Sequence, residues 1–163
     1  MTSMSHQTRV LVAEDNTGSR MFLTDVLEDE GYEVLEAKDG VDALEVLEKI
    51  DGEVDALVLD LNMPRMGGLE LLQKIKSHKK YARIPVIIQS GNSDPTMVQN
   101  SLKFGAYYFL LKPVDMIVFS TIVKSAIEEL HNYKKTKKRA LQNEETVCLM
   151  KEGRFSFKTE PEA

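Results

Sequence analysis

Five short apolar segments separated by stretches of helical spacing constrain this chain more than any other feature. They are residues 9–15 (RVLVAED), 32–37 (YEVLEA), 54–60 (VDALVLD), 84–90 (IPVIIQS) and 107–113 (YYFLLKP). Each is rich in Val, Ile, Leu or aromatic residues, the composition of strands covered on both faces. Between them, Phe22, Leu23, Val26 and Leu27 form one helical stripe; Ala43, Leu44, Leu47 and Ile50 form a second; Leu71, Leu72 and Ile75 form a third. Gly31 reads as a helix stop, and Asp94-Pro95 as a cap followed by proline at the first helical position. Strand and helix alternating five times predict an α/β fold, a doubly wound five-stranded parallel sheet with helices on both faces.

A chain of 163 residues with 42% hydrophobic content suits one core, with roughly 20 to 30 residues to spare. Its net charge of −5 offers nucleic acid no global attraction, so no direct nucleic-acid partner is expected. The single cysteine, Cys148, excludes an intramolecular disulfide and fits a reducing compartment. No apolar run approaches the ~20 residues of a membrane span, and the opening MTSMSHQTR lacks the apolar stretch of a signal peptide. A cytoplasmic protein with no membrane partner is expected.

In a parallel sheet the C-terminal strand ends share one edge, where the loops carry ligand sites. Asp60 ends the third apolar segment, Glu14 and Asp15 the first, Ser90 the fourth, and Lys112 follows the fifth run. Alone, Asp60 reads as a turn or helix cap. Three carboxylates converging without a counterion repel one another, however, so the cluster wants a cation. Mg²⁺, which takes carboxylate, carbonyl and water oxygens, answers that need. Zinc does not, because the softer ligands are Cys148 in the tail and the scattered His6, His78 and His131.

These residues, in this order and each at a strand end, resemble the two-component response-regulator receiver domain, the CheY-like family, over residues 8–131. Glu14 and Asp15 match its acidic pair, Asp60 its phosphoacceptor, Ser90 its hydroxyl residue, Lys112-Pro113 its Lys-Pro, and Phe109 its switch aromatic. The resemblance implies a flavodoxin/CheY-like strand order of 2-1-3-4-5. It also implies a phosphorelay switch rather than an enzyme, phosphorylated on Asp60 by a histidine kinase or phosphotransfer protein. Mg²⁺ would be held by Glu14, Asp15, Asp60 and the backbone carbonyl of Asn62. Ser90 and Phe109 would form the switch, and the neutral amides Asn62 and Asn92 would modulate hydrolysis. A homodimer through the face of helix 4, strand 5 and helix 5 is implied too.

The chemistry agrees with that assignment. A carboxylate attacking a phosphoryl group brings negative charge against negative charge, so cationic neutralisation is required. Lys112 supplies an ammonium, and Ser90 can donate its hydroxyl proton to a phosphoryl oxygen. Pro64 restricts the acceptor loop, while Gly67 and Gly68 permit a turn that a side chain would obstruct. Met63 and Met66, as poor partners for a hard ion, read as packing residues. Glu14, Ser90 and Phe109 stand where many members have aspartate, threonine and tyrosine; only the last change removes a polar group. One alternative is a Mg²⁺-dependent aspartyl-phosphate phosphatase or phosphotransferase. Against it, Asn62 stands two residues after Asp60, where haloacid-dehalogenase-like phosphatases place an acid. A phosphorylation-independent association module is disfavoured by the complete set of acids, hydroxyl and lysine.

Residues 132–163 read as a helical extension or linker. Lys134, Lys135, Lys137, Lys138 and Arg139 form a basic run, most simply a solvated face. Phe155 and Phe157 then alternate with polar residues, and Thr159 with Glu162 has capping-box spacing. The expectation is that the natural protein continues, since this segment resembles the beginning of a GHKL-type ATPase domain. In the fifth helix, Met116, Ile117, Val118, Phe119, Ile122, Val123, Ala126, Ile127 and Leu130 form an apolar arc wider than one sheet-facing stripe needs, which reads equally as an association surface or as packing against the basic extension or a following domain.

Overall fold

A computed structural model of the chain describes residues 6–151. The elements alternate as β1 (Arg9–Ala13), α1 (Thr17–Asp29), β2 (Glu33–Ala37), α2 (Gly40–Lys49), β3 (Ala56–Asp60), α3 (Gly68–Ser77), β4 (Val86–Ser90), α4 (Pro95–Lys103), β5 (Tyr108–Leu111) and α5 (Met116–Lys151). The five strands form one parallel sheet in the order β2-β1-β3-β4-β5, the expected doubly wound arrangement.

Alternation along the strands sorts the core into two layers. Leu11, Ala13, Leu57, Leu59, Val86 and Ile88 pack with Ala43 and Leu47 of α2 and Leu71, Leu72 and Ile75 of α3. Val10, Val12, Ala56, Val58, Ile87 and Leu110 pack with Leu23, Val26 and Leu27 of α1 and Phe119, Val123, Ala126 and Ile127 of α5. Each fully buried Val, Leu, Ile or Phe among them contributes about 1.5–3 kcal/mol. Every residue of β3 and β4 is buried. The expectation of two covered faces fails for β2, where only Ala37 is buried, and for β5, where only Leu110 is. Both are edge strands, each lacking a neighbour on one side.

Local capping matches the sequence. Asn16 Oδ1 accepts from the Ser19 amide at 2.8 Å to start α1, and Gly31, with φ of 89°, follows its end. Asp94 accepts from the Thr96 amide at 2.9 Å ahead of Pro95. Phe22 departs from its expected stripe: it is exposed, and Leu23, Val26 and Leu27 alone cover the sheet.

The α5 arc is corrected as well. Phe119, Val123, Ala126, Ile127 and Leu130 are buried in the chain's own core, and only Met116, Ile117 and Val118 at the helix start are strongly exposed. The excess apolar surface is therefore largely intramolecular. Ile127 is a packing residue of the second core layer.

The chain divides into two compact units, Met1–Leu130 and His131–Ala163. In the second, Lys134, Lys135, Lys137, Lys138 and Arg139 are helical and exposed, as a solvated face should be. The predictions on Phe155, Phe157, Thr159 and Glu162 lie outside the described residues. Among the described residues, no helix is long and apolar enough to cross a membrane.

Candidate functional site: an acidic cluster with one lysine

The period-2 pattern that builds the second core layer also aims the charged residues. Val10 and Val12 lead to Glu14, Ala56 and Val58 to Asp60, Ile87 to Gln89, and Leu110 to Lys112. Two residues past the last apolar residue of each run, on the same face, the strands stop offering hydrocarbon and offer oxygen or nitrogen at the same sheet edge. Glu14 is fully buried, and its amide still donates to the Ala37 carbonyl at 3.1 Å. Its Oε1 accepts from the Asn16 amide at 3.1 Å. Its Oε2 accepts from Lys112 Nζ at 2.9 Å and from Gln89 Nε2 at 3.1 Å. Arg20 Nη1 donates to the Glu14 carbonyl at 2.8 Å, tying α1 to the acidic turn. Asp60, also buried, accepts from the Asn62 amide at 3.1 Å through Oδ1 and from Lys112 Nζ at 2.6 Å through Oδ2.

Carboxylate oxygens of Glu14, Asp15 and Asp60 lie within 4.8 Å of one another, with Asp15 on the exposed side. Among the described residues Lys112 is the only cation bonded to Glu14 and Asp60 side chains. Three carboxylates against one ammonium leave excess negative charge, and every donor is a hard oxygen. The set fits a divalent metal of that preference. Burial pushes the Glu14 carboxyl above the usual range; the Lys112 ammonium and Asn16 amide offset only part of this, while the Asp60 charge adds to it. Burial pulls Lys112 down, but its hydrogen bonds to Asp60 and Glu14 outweigh that and hold it above an ordinary lysine. Lys112 is thus paired with both acids in the chain as it stands.

The remaining predicted residues lie around this cluster. Ser90 is fully buried at the end of β4, and its Oγ accepts from the Asn92 amide at 3.1 Å, so it also serves as a turn residue. The Lys112 amide donates to the Ser90 carbonyl at 2.8 Å, carrying the β4–β5 ladder up to the lysine. Phe109 pairs with Ile88 in register and packs half-buried against the α2–α3 core layer. Asn62 and Asn92 are exposed beside the cluster, with Asn92 Oδ1 accepting from the Asp94 amide at 2.9 Å.

In the loop after Asp60, Met63 and Met66 pack against the core, as expected. Arg65, not a glycine, takes the left-handed conformation, with φ of 60°. Its Nε donates at 2.7 Å to Asp39, whose other oxygen caps α2 by accepting from the Asp42 amide at 2.9 Å. Burial raises the Asp39 carboxyl, but Arg65 and the helix amides outweigh it and hold it below the usual range. This ion pair and the Gly40 amide donating to the Met66 carbonyl at 3.1 Å fasten the loop after Asp60 to the start of α2. Sequence reasoning missed Gln89. Its signal was one amide in the apolar IPVIIQS, on the same alternation as Asp60.

The family profile "Response regulator receiver domain" matches residues 10–124. The chain belongs to that family, whose members are phosphoacceptor switches of two-component signalling rather than turnover catalysts. It is 38% identical over 106 residues to the "Two-component response regulator-like APRR7" of Arabidopsis thaliana, covering 65% of this chain and 15% of that protein. It thus spans less than a fifth of that relative's length. To the "Chemotaxis protein CheY homolog" of Campylobacter jejuni it is 36% identical over 106 residues, 64% of this chain and 81% of that one. Among solved structures, the signal receiver domain of a signal transduction histidine kinase from Syntrophus aciditrophicus superposes with a TM-score of 0.69 at 30% identity, over 75% of this chain and 91% of that chain.

Proposed function

We propose that Asp60 is the phosphoacceptor of a phosphorelay, taking its phosphoryl group from a phosphohistidine on a histidine kinase or phosphotransfer protein. One observation carries this: the buried Asp60 carboxylate stands at a strand end with Lys112 Nζ 2.6 Å from Oδ2 and two further acids against it. An Asp60 carboxylate oxygen attacks phosphorus, the P–N bond breaks, and imidazole leaves. Glu14, Asp15, Asp60 and the Asn62 carbonyl would hold Mg²⁺, which would supply charge neutralisation for the transfer. Lys112 moves its ammonium onto the acyl phosphate, and Ser90 donates its hydroxyl proton to a phosphoryl oxygen. With no phenolic hydroxyl, Phe109 couples to the switch by packing alone. The neutral Asn62 and Asn92 offer no general base for hydrolysis. Residues 8–131 are the receiver unit and 132–163 the extension beyond it; the single cysteine accords with a reducing, cytoplasmic setting. Intact-mass measurement with a phosphohistidine donor tests this reading. One Mg²⁺-dependent adduct per chain supports it, whereas repeated turnover of phosphorylated small molecules favours the phosphatase alternative.

Removing the lysine separates its role from that of the acids. Lys112→Ala is expected to bind Mg²⁺ as tightly as the parent or a few-fold more tightly, because the departing cation opposed the metal. Calorimetric titration checks it; a large loss of affinity would assign Lys112 to the metal site instead.

Association with a second copy is the further part of this reading. Leu102, Phe104, Tyr108, Leu111 and Val118 are exposed on α4 and its C-cap, on β5 and at the start of α5, and two-fold pairing is the commonest closed symmetry. Sedimentation with and without a phosphoryl mimic is expected to show a dimer favoured by the mimic and weakened by Leu102→Glu. A chain monomeric in both states removes this face as the output surface.

A further inference from the structure

Gln89 is the one buried polar side chain of the site to which the proposed phosphotransfer gives no task. It follows Val86, Ile87 and Ile88, all fully buried, and is itself only 2% exposed. A buried amide is costly unless hydrogen-bonded. Its Nε2 donates at 3.1 Å to Glu14 Oε2, the same oxygen that accepts from Lys112 Nζ at 2.9 Å. The other Glu14 oxygen is held separately by the Asn16 amide. Oε2 therefore has two donors of different kinds. One is a neutral amide on the interior strand β4; the other is an ammonium shared with Asp60. Transfer of Lys112 to an acyl phosphate strips one donor from a fully buried carboxylate. The amide is what remains.

We propose that Gln89 is a positioning residue that holds the Glu14 carboxylate in the metal site independently of Lys112, so the lysine can transfer to phosphorylated Asp60 without leaving Glu14 Oε2 unpaired. The inference rests on the Mg²⁺-dependent reading of Asp60 above. A neutral donor suits this task, because it fixes the carboxylate without adding a positive charge that would oppose the metal. Partners that orient a ligand in this way typically govern metal affinity by about 10- to 100-fold.

The test is calorimetric Mg²⁺ titration and thermal unfolding of the full chain in a double-mutant cycle between Gln89→Met and Lys112→Ala. Gln89→Met is expected to weaken Mg²⁺ binding about 10-fold, and to weaken it about threefold more in the Lys112→Ala background, where Oε2 loses both donors. Gln89→Asn, which keeps the polarity but withdraws the amide by one methylene, is expected to reproduce the loss and serves if the methionine variant does not fold. A role in packing alone would lower the thermal midpoint and leave Mg²⁺ affinity within twofold of the parent in both backgrounds, which would overturn the proposal. A parent chain that binds no Mg²⁺ removes the site reading and this inference with it; a parent that binds normally, with Gln89 variants that match it, removes only the inference.

Discussion

Asp60→Asn is expected to abolish the phosphoryl adduct while leaving the fold intact. The amide presents no anionic oxygen to phosphorus, so the acyl phosphate cannot form at that position, and the loss is expected to be complete rather than graded. The fold survives because Asn occupies the same volume, and because the charge it removes lies against Glu14, whose carboxyl Asp60 helps to push upward. Metal-free thermal stability should therefore match or exceed the parent's, while Mg²⁺ affinity falls as the site drops from three carboxylates to two. Intact mass after incubation with acetyl phosphate and Mg²⁺ reads the first effect; a scan without metal reads the second. An adduct of undiminished stoichiometry in the variant would move the acceptor to another residue.

The acidic site was legible because alternation along a strand survives in the primary sequence. Once residues 54–60 are read as a strand, Val58 and Asp60 must share a face, and the same holds for Val12 with Glu14 and Leu110 with Lys112. Chain order then needs only a parallel sheet to bring these ends to one edge. Strand order is a different matter. Nothing in the composition of YEVLEA or YYFLLKP marks β2 and β5 as edges, since adjacency is decided by crossover connections; the order came from family resemblance alone. Gln89 stayed hidden because a single amide in an apolar run carries no periodicity of its own, and its partner Glu14 lies 75 residues away. The α5 arc misled for a related reason. Apolar spacing shows which residues avoid water, but not whether the covering surface is the sheet or another molecule, and here Ile127 and Leu130 are covered by the chain itself.

Gly68→Ala is expected to unfold or severely destabilise the protein, although alanine is the better helix former by about 1 kcal/mol. Gly68 opens α3, and its amide donates at 2.9 Å to the Leu61 carbonyl, closing the acceptor loop on the end of β3. A Cβ at this position would stand 3.0 Å from Leu61 Cα, 2.9 Å from the Asp60 carbonyl carbon and nearer still to the carbonyl oxygen. These are backbone atoms of a fully buried central strand, with no rotamer to yield. The clash should therefore exceed the ~1–3 kcal/mol of ordinary overpacking and overwhelm the gain in helix propensity. Gly91 supplies the control, since a Cβ there meets nothing within 4 Å; Gly91→Ala should change stability by no more than about 0.5 kcal/mol. Urea unfolding of the two variants beside the parent measures both. Because the atoms that must move are the main chain of Asp60 itself, any folded Gly68→Ala fraction should also accept phosphoryl groups more slowly. A variant with the parent's midpoint and rate would show that the acceptor strand can shift freely, contrary to the tight seating of α3 on Asp60.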